Sequence, residues 1–320
     1  MWRNGVLEAE DFPFEQVSDY LEQEGCLVWA DLCRPDAEAL ASIAEELSLD
    51  PHAIEDATSP HERPKATRYM THLFFSTYAL RSVPGQHEPH LTHVSAFCTR
   101  NALVTVRSND GFDIDELIRR WDDNADLVKY GPRALEYGML DMIVDEYFEF
   151  IETLDDAIED LEGAIFDENP TDPRELQLKS FRLRKGLLRL RRVVLPMREV
   201  ANTVARRATA NDPSNELTPY FEDLYDHILR AAEWTESLRD MMSSIFETNM
   251  ALADTRLNQI MKQLTAWAAI IAVPTAITGF FGQNVPYPGF GEKDGFWASI
   301  VLMALIAATL YALFRKRDWL

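Results

Sequence analysis

Apolar positions recur along this chain with a period that changes from part to part. Up to about residue 130 they come in short runs. Gly25 to Leu32 (GCLVWADL) reads as a buried strand. Pro35 to Leu47 has helical spacing at Ala39, Leu40, Ile43 and Leu47, opened by Pro and acidic residues as a helix start should be. Thr71 to Leu80, Leu91 to Thr99 and Ala102 to Val106 are β-rich, the first two separated by the turn signal Val83-Pro84-Gly85. Ile114 to Trp121 returns to helix. Residues 1–130 are expected to form an α/β domain with a mixed or mainly antiparallel sheet.

From Arg133 onward strand signals stop. Ala134 to Phe166 predicts a long amphipathic helix, with Leu140, Ile143, Val144, Tyr147, Phe148, Ile151, Leu154, Ile158 and Leu161 on its apolar face. Its other face is acidic from Asp141 to Glu162. Asn169-Pro170-Thr171-Asp172-Pro173 breaks it, and Glu175 to Ala208 follows with a basic face that includes Lys179, Lys185 and Arg189. The two predict an antiparallel pair whose charges either face each other or are solvated. After Asn211-Asp212-Pro213 the periodicity resumes near Leu217 and meets no breaker before Pro274. A helix from there through Phe281 would have about 65 residues and run about 100 Å, too long for one compact domain. Residues 131–262 are therefore expected to be a helical hairpin and stalk.

The last part has another character. No charged residue occurs between Lys262 and Glu292, and Leu264 to Phe281 is almost wholly apolar. A second uncharged run, Phe296 to Phe314, ends at Arg315-Lys316-Arg317. Each approaches the roughly 20 residues a helix needs to cross hydrocarbon. A buried soluble hairpin seldom supplies two such runs near a C-terminus, so residues 263–320 are expected to be a two-helix membrane domain with a short outer loop. The expected fold class is an α+β membrane protein: a cytoplasmic α/β domain, a long helical stalk and two C-terminal transmembrane helices.

The first span is not uniformly apolar. Asn258, Met261, Thr265, Ala268, Ala272, Thr275, Gly279 and Gly282 fall on one helical face, with Trp267, Ile270, Ile271, Ile277, Phe280 and Phe281 on the rest. Small and hydroxyl-bearing residues let helix backbones approach closely, which ordinary helix packing also uses. Around an axis the same stripe would line a narrow wet tube. One hairpin cannot enclose a pore, so that reading requires an oligomer.

Charge and chemistry narrow the picture. Lys and Arg total 31 against 53 Asp and Glu, a formal charge of −22. Such a surface repels nucleic acid and concentrates cations, so no nucleic-acid partner is expected. The N-terminus has no basic stretch followed by an apolar core, so no signal peptide is expected there. Cys26, Cys33 and Cys98 show no C-x-x-C spacing and are expected to be reduced thiols. His87, His90 and His93 could ligate a metal, but a strand would send alternate positions to opposite faces and nothing completes the ligand set. A polar hairpin is the expectation. No nucleophile elbow, phosphate loop or H-E-x-x-H appears, and no enzyme is expected.

Gly282-Gln283-Asn284, placed directly after the first span, resembles the Gly-Met-Asn signature of the CorA-type magnesium transporter family. Thr278-Gly279-Phe280-Phe281 and the basic ending before Trp319-Leu320 also look like that family. So do His61-Glu62-Arg63-Pro64-Lys65, Pro196-Met197-Arg198-Glu199 and Tyr225-Asp226-His227, so the likeness runs from about Gly25 to the end. Gln283 departs from the pattern, and family members with other residues there include zinc transporters.

The resemblance implies a homopentamer in a lipid membrane, its first span lining the pore and Gly282, Gln283 and Asn284 forming the selectivity filter. Asn284 would then hold hydrated Mg²⁺ through its neutral carbonyl oxygen. It further implies closure when intracellular Mg²⁺ fills acidic sites between subunits, for which the matching positions are Asp56 and Asp223. Gly282 is expected to allow the backbone turn that ends the helix. The basic end places the C-terminus, and with two spans the N-terminus, in the cytoplasm of a cell or inner membrane. Mg²⁺ is thus the expected substrate and regulatory ligand, with Co²⁺ and Ni²⁺ as further ions. Influx would run on the membrane potential, worth roughly 4.6 kcal/mol per 100 mV for a divalent ion. A zinc transporter of the same fold, or a membrane-anchored metal-binding regulator that conducts nothing, are the alternatives.

Overall fold

The computed structural model of the chain describes residues 1–13, 16–59, 62–83, 85–124, 127, 129–166, 172–211, 216–283, 285–286 and 288–320, with only the backbone of 208–211. His61, Pro84, Asn169-Pro170-Thr171 and Asp212-Pro213 lie outside them. The chain divides into two compact units, Met1–Ser243 and Ser244–Leu320.

The first unit is built on a seven-stranded sheet. Its strands are β1 (Trp2–Arg3), β2 (Val6–Leu7), β3 (Cys26–Cys33), β4 (Lys65–Arg68), β5 (Leu73–Arg81), β6 (His90–Cys98) and β7 (Ala102–Arg107). They lie in the order β2-β1-β3-β7-β6-β5-β4. Among the described residues only β3 and β7 are parallel; every other pair is antiparallel. The mixed, mainly antiparallel sheet is the one the sequence predicts. Its central strands are buried along most of their length, with Ser76, Thr77, Ser95 and Thr105 among the buried residues.

Short helices surround the sheet: α1 (Val17–Leu21), α2 (Ala37–Glu46), α3 (Pro51–Thr58) and α4 (Ile114–Asp123). Three of them start on a side-chain cap. Asp36 accepts the N–H of Ala39, Asp50 that of His52, and Asp113 that of Glu116, all at 2.8–2.9 Å. Leu40 and Ile43 of α2 and Ala53 and Ala57 of α3 join Phe74, Phe97, Val104 and Val106 of the sheet in one core.

Three long helices follow: α5 (Pro132–Phe166), α6 (Pro173–Asn211) and α7 (Thr218–Phe281). α5 packs on β5, β7 and its neighbours with Met139, Leu140, Ile143 and Tyr147 fully buried. Asp172 accepts the N–H of Arg174 at 2.9 Å and Pro173 occupies the first turn, which starts α6. The α5–α6 pair is held by apolar contacts, and among the described residues its one ion pair is Lys179 with Asp160, at 3.8 Å. Other basic groups of α6 turn elsewhere: Lys185 and Arg189 to Glu88, and Arg191 to Glu236.

The first part of α7 buries Phe221, Leu224, Ile228, Ala231, Thr235, Leu238, Met242 and Ile245, steps of three and four that give one continuous apolar stripe. After Ile245 that stripe stops being covered, and Met250, Leu257, Ile260 and Met261 are all exposed.

The second unit holds the rest of α7 and α8 (Lys293–Lys316). Both helices are long and apolar enough to cross a membrane, with mean hydropathies of 1.7 and 2.1 over their most apolar stretches. Only 6% of each stretch is buried. A core helix of a soluble domain would be mostly covered, so these two present their apolar surface to something outside the chain.

Candidate ion pathway

In the second unit, side-chain exposure follows helical spacing. On α7 it drops at Ala266, Ala269, Ile270, Val273, Pro274, Ile277 and Phe281. On α8 it drops at Gly295, Ser299, Ile300, Met303, Ile306, Ala307, Leu310 and Phe314. Each set is a single face of its helix. Asn258, Met261, Thr265, Ala268, Ala272, Thr275, Gly279 and Gly282 are exposed without exception. At about 100° per residue they lie on the opposite side of α7 from its covered face. A β-carbon added to Gly279 would meet nothing within 4 Å. Trp267, Ile271 and Phe280 flank the stripe at 51–63% exposure.

The hydroxyls of the stripe are oriented. Thr265 donates to the Met261 carbonyl at 2.8 Å and Thr275 to the Ile271 carbonyl at 3.1 Å. With their protons spent on the preceding turn, both present oxygen lone pairs outward, the polarity a hydrated cation needs. Pro274 has no N–H to give the Ile270 carbonyl. Thr278 donates to Pro274 at 2.9 Å and ties that turn together from the other side.

The helix ends on its own backbone bonds. The Gly282 N–H bonds the Thr278 carbonyl at 2.8 Å and Gln283 N–H that of Phe280 at 3.3 Å. Gly282 is not among the positive-φ glycines; those of this loop are Gly289, at +89°, and Gly291, at +80°. What Gly282 supplies is room, because a β-carbon there would stand 2.9 Å from the Thr278 carbonyl. Gln283 is exposed at the end of the helix. Asn284 lies outside the described residues.

Asp56 and Asp223 both belong to the first unit. Asp56, on α3, meets the Lys65 ammonium at 2.8 Å, and Lys65 also holds Glu62 at 3.0 Å. Asp223, in the second turn of α7, is 63% exposed and lies 3.7 Å from His227. No hydrogen bond or ion pair joins the two aspartates within one chain among the described residues. Nor does any group of three or more His, Cys, Asp and Glu gather there to hold a metal.

His90 and His93, on β6, make separate contacts. His93 is buried, its Nε2 2.7 Å from the Ser76 hydroxyl, and burial pushes its pKa down. His90 is exposed near Gln86. Near Asp223 the sequence reading gave no role to Tyr137, whose hydroxyl donates to Asp141 at 3.3 Å on α5. Burial, and then Asp145, push the Asp141 carboxyl up. The spacing Tyr137–Asp141–Asp145 at four-residue steps was the available signal.

Comparison with known proteins bears on the whole chain. A family model described as "CorA-like Mg2+ transporter protein" matches residues 24–316. The cobalt/magnesium transport protein CorA of Thermotoga maritima is 28% identical over 285 residues, covering 88% of this chain and 80% of its own. The zinc transport protein ZntB of Yersinia enterocolitica is 25% identical over 310 residues, covering 93% and 89%. The complete structure of the CorA magnesium transporter from Methanocaldococcus jannaschii superposes with a TM-score of 0.76 at 24% identity, over 98% of this chain and 95% of that one.

Proposed function

The chain belongs to the CorA-like Mg²⁺ transporter family, and on that premise we propose that it is a Mg²⁺ influx channel-transporter that also carries Co²⁺ and Ni²⁺. Membership makes it a divalent-metal transporter of the membrane and not an enzyme. The observation that carries the finer reading is the stripe from Asn258 to Gly282, uncovered and opposite the covered face of α7. In that arrangement the second span sits behind the first, and the stripe is free to meet its copies around an axis. Small residues permit the close approach, and the threonine oxygens supply a neutral polar wall.

On this reading the assembly is a homopentamer, and residues 263–320 form its membrane domain. Residues 131–262 form a helical hairpin and stalk, and residues 1–130 a cytoplasmic α/β domain. Arg315, Lys316 and Arg317 keep the C-terminus in the cytoplasm of the cell or inner membrane. Gly282, Gln283 and Asn284 stand at the outer mouth. Mg²⁺ gives up its water reluctantly, so the Asn284 carbonyls contact the hydrated ion rather than strip it. No ATP is required, since the membrane potential drives the divalent ion inward.

Regulation is read at Asp56 and Asp223, bridged between neighbouring subunits by Mg²⁺. The Lys65 ammonium already neutralises Asp56 in one chain, so the ion must share that carboxylate or displace the lysine. This supports a weak site that fills only when internal Mg²⁺ is abundant.

One observation favours a second reading, Zn²⁺ transport: Gln283 replaces the family's Met, and zinc transporters are among the relatives. The test is flux through purified protein in liposomes with Mg²⁺, Co²⁺, Ni²⁺ and Zn²⁺ offered separately and in competition. Mg²⁺ should enter fastest under an inside-negative potential. Zn²⁺ entry with little Mg²⁺ entry would assign the second reading, and no flux of any ion would leave a non-conducting regulator.

A further inference from the structure

A cleft of about 960 Å³ opens in the first unit at the carboxyl end of the parallel pair β3 and β7, with a wall supplied by α6. It is basic on a chain of formal charge −22. Arg34, Arg63, Arg107, Arg189 and Arg192 line it, against the single carboxylate Glu62. Three of these arginines are already paired: Arg34 with Asp110, Arg107 with Asp31, and Arg189 with Glu88. Glu62 is paired in turn with Lys65. Lys65 also holds Asp56 and Glu88 also holds Lys185, so those surplus charges cancel; Arg63 and Arg192 remain, with no ion pair to either among the described residues. Two uncompensated guanidiniums in a strongly acidic protein are an island of positive potential.

The cleft is also built. The Tyr78 hydroxyl donates to the Glu62 carbonyl at 2.7 Å, and Lys65 clamps Glu62 to Asp56, so the backbone on either side of Arg63 is fixed. Arg189 and Arg192 stand three residues apart on one face of α6. Arg34 is held at φ +52°, a left-handed conformation that side chains other than glycine seldom adopt, by its N–H bond to the Arg107 carbonyl at 2.9 Å. Local strain of this kind concentrates where a chain positions a functional group. Between the charges, Pro35, Pro64, Pro89 and Val193 give the cleft apolar walls. The carboxyl ends of parallel strands are where α/β sheets commonly receive ligands.

We propose that this cleft binds a phosphorylated organic anion of nucleotide size, its phosphates on Arg63 and Arg192 and its organic part against the proline walls. Guanidinium forks match phosphate oxygens two at a time, which a lone lysine would not do. The volume is in the range of small-molecule sites. The motif Glu62-Arg63-Pro64-Lys65, prominent in the sequence and unused by the ion pathway, gains a role here: Glu62 and Lys65 set the loop and Arg63 reads charge. The inference is independent of which metal ion the chain carries.

The test is calorimetric titration of the full-length protein in detergent, in Mg²⁺-free buffer, with ADP and with pyrophosphate as the probes. Both should bind, ADP the more tightly. Arg63→Gln with Arg192→Gln should weaken both by about 10-fold or more, while elution volume and thermal midpoint stay those of the parent. Either substitution alone should give an intermediate loss. Absence of binding at about 5 mM of either probe would overturn the proposal, since weaker affinity would be worth only a few kcal/mol. Undiminished binding in a folded double variant would also overturn it, because the anion would then sit elsewhere. Equal affinity for the two probes would overturn the assignment of an organic moiety.

Discussion

Glu146 of α5 accepts a 2.8 Å hydrogen bond from the backbone N–H of Leu80 on β5. The next residue, Tyr147, donates to the Tyr78 carbonyl on the same strand at 2.7 Å. β4 pairs with β5 only between Leu73 and Ser76, so beyond that point the strand edge would be left with unpaired polar groups. Two consecutive side chains of α5 cover them, which satisfies the backbone and joins helix to sheet.

That bond has a pH consequence. Burial pushes the Glu146 carboxyl up to about 8 from 4.5, against the opposing pull of the Leu80 N–H. A folded value above the unfolded one means the native state binds more protons in that window. Stability therefore falls as pH rises from about 4.5 to about 8. Glu146→Gln keeps a carbonyl for Leu80 and removes the charge. Thermal midpoints of variant and parent should nearly coincide at about pH 5, with the variant a few degrees higher above pH 8. Parallel pH profiles for the two proteins would show that this carboxyl does not carry the dependence.

Gly186 of α6 faces the carbonyl of His87, in the turn between β5 and β6, where an added β-carbon would collide with that oxygen. The contact brings Glu88 to Lys185 and Arg189. Alanine in mid-helix ordinarily gains about 1 kcal/mol over glycine. Here the obstacle is backbone, and overpacking costs about 1–3 kcal/mol, so the clash wins. Gly186→Ala should lower the thermal midpoint by several degrees. A raised midpoint would mean that the turn moves aside freely.

Much of this could be read in advance, for a physical reason. Both apolar spans and the 64-residue helix announce themselves by length, and the buried strands by β-rich runs between turn residues. What was not legible depends on partners far away in sequence. α3 buries only Ala53 and Ala57, too little for a periodic signal, although Asp50-Pro51 marks its start. β4 has four residues, none of them buried. Glu136 lies fully buried near Cys98, Arg133 and Arg207, with burial pushing its carboxyl up, a placement no local pattern encodes. On the candidate ion pathway the stripe was legible as a face, but only the fold shows that it lies opposite the covered residues of α7. Asp56 and Asp223 came from resemblance, and the Lys65 ammonium that meets Asp56 came from the fold.

The gating reading turns on Asp223. If Mg²⁺ links Asp223 of one subunit to Asp56 of the next, bound metal favours the closed state only by its differential affinity for it. Asp223 is exposed and, among the described residues, its one ion pair is with His227 at 3.7 Å, so alanine there should leave the fold intact. Asp223→Ala should conduct at internal Mg²⁺ of about millimolar concentration that silences the parent. Flux should be followed in liposomes while internal Mg²⁺ is stepped. An unchanged inhibition curve would remove this site from the account.

The functional reading rests most heavily on Asn284, whose carbonyl is proposed to hold hydrated Mg²⁺ at the outer mouth. The helix before it closes on its own bonds, Gly282 to Thr278 and Gln283 to Phe280, so Asn284→Ala should leave the oligomer whole. Transport should nevertheless fall to background. Asn284→Asp should fail for the opposite reason. Several carboxylates close together on one axis would either take up protons or trap the ion, and binding too tight to release defeats conduction. The two failures are separable, because the Asp variant should retain Mg²⁺ through washing and the Ala variant should not. Near-normal Mg²⁺ flux through an intact Asn284→Ala oligomer would move the filter down the stripe. Thr275 would then be the next candidate, its outward oxygen already oriented by the bond to Ile271.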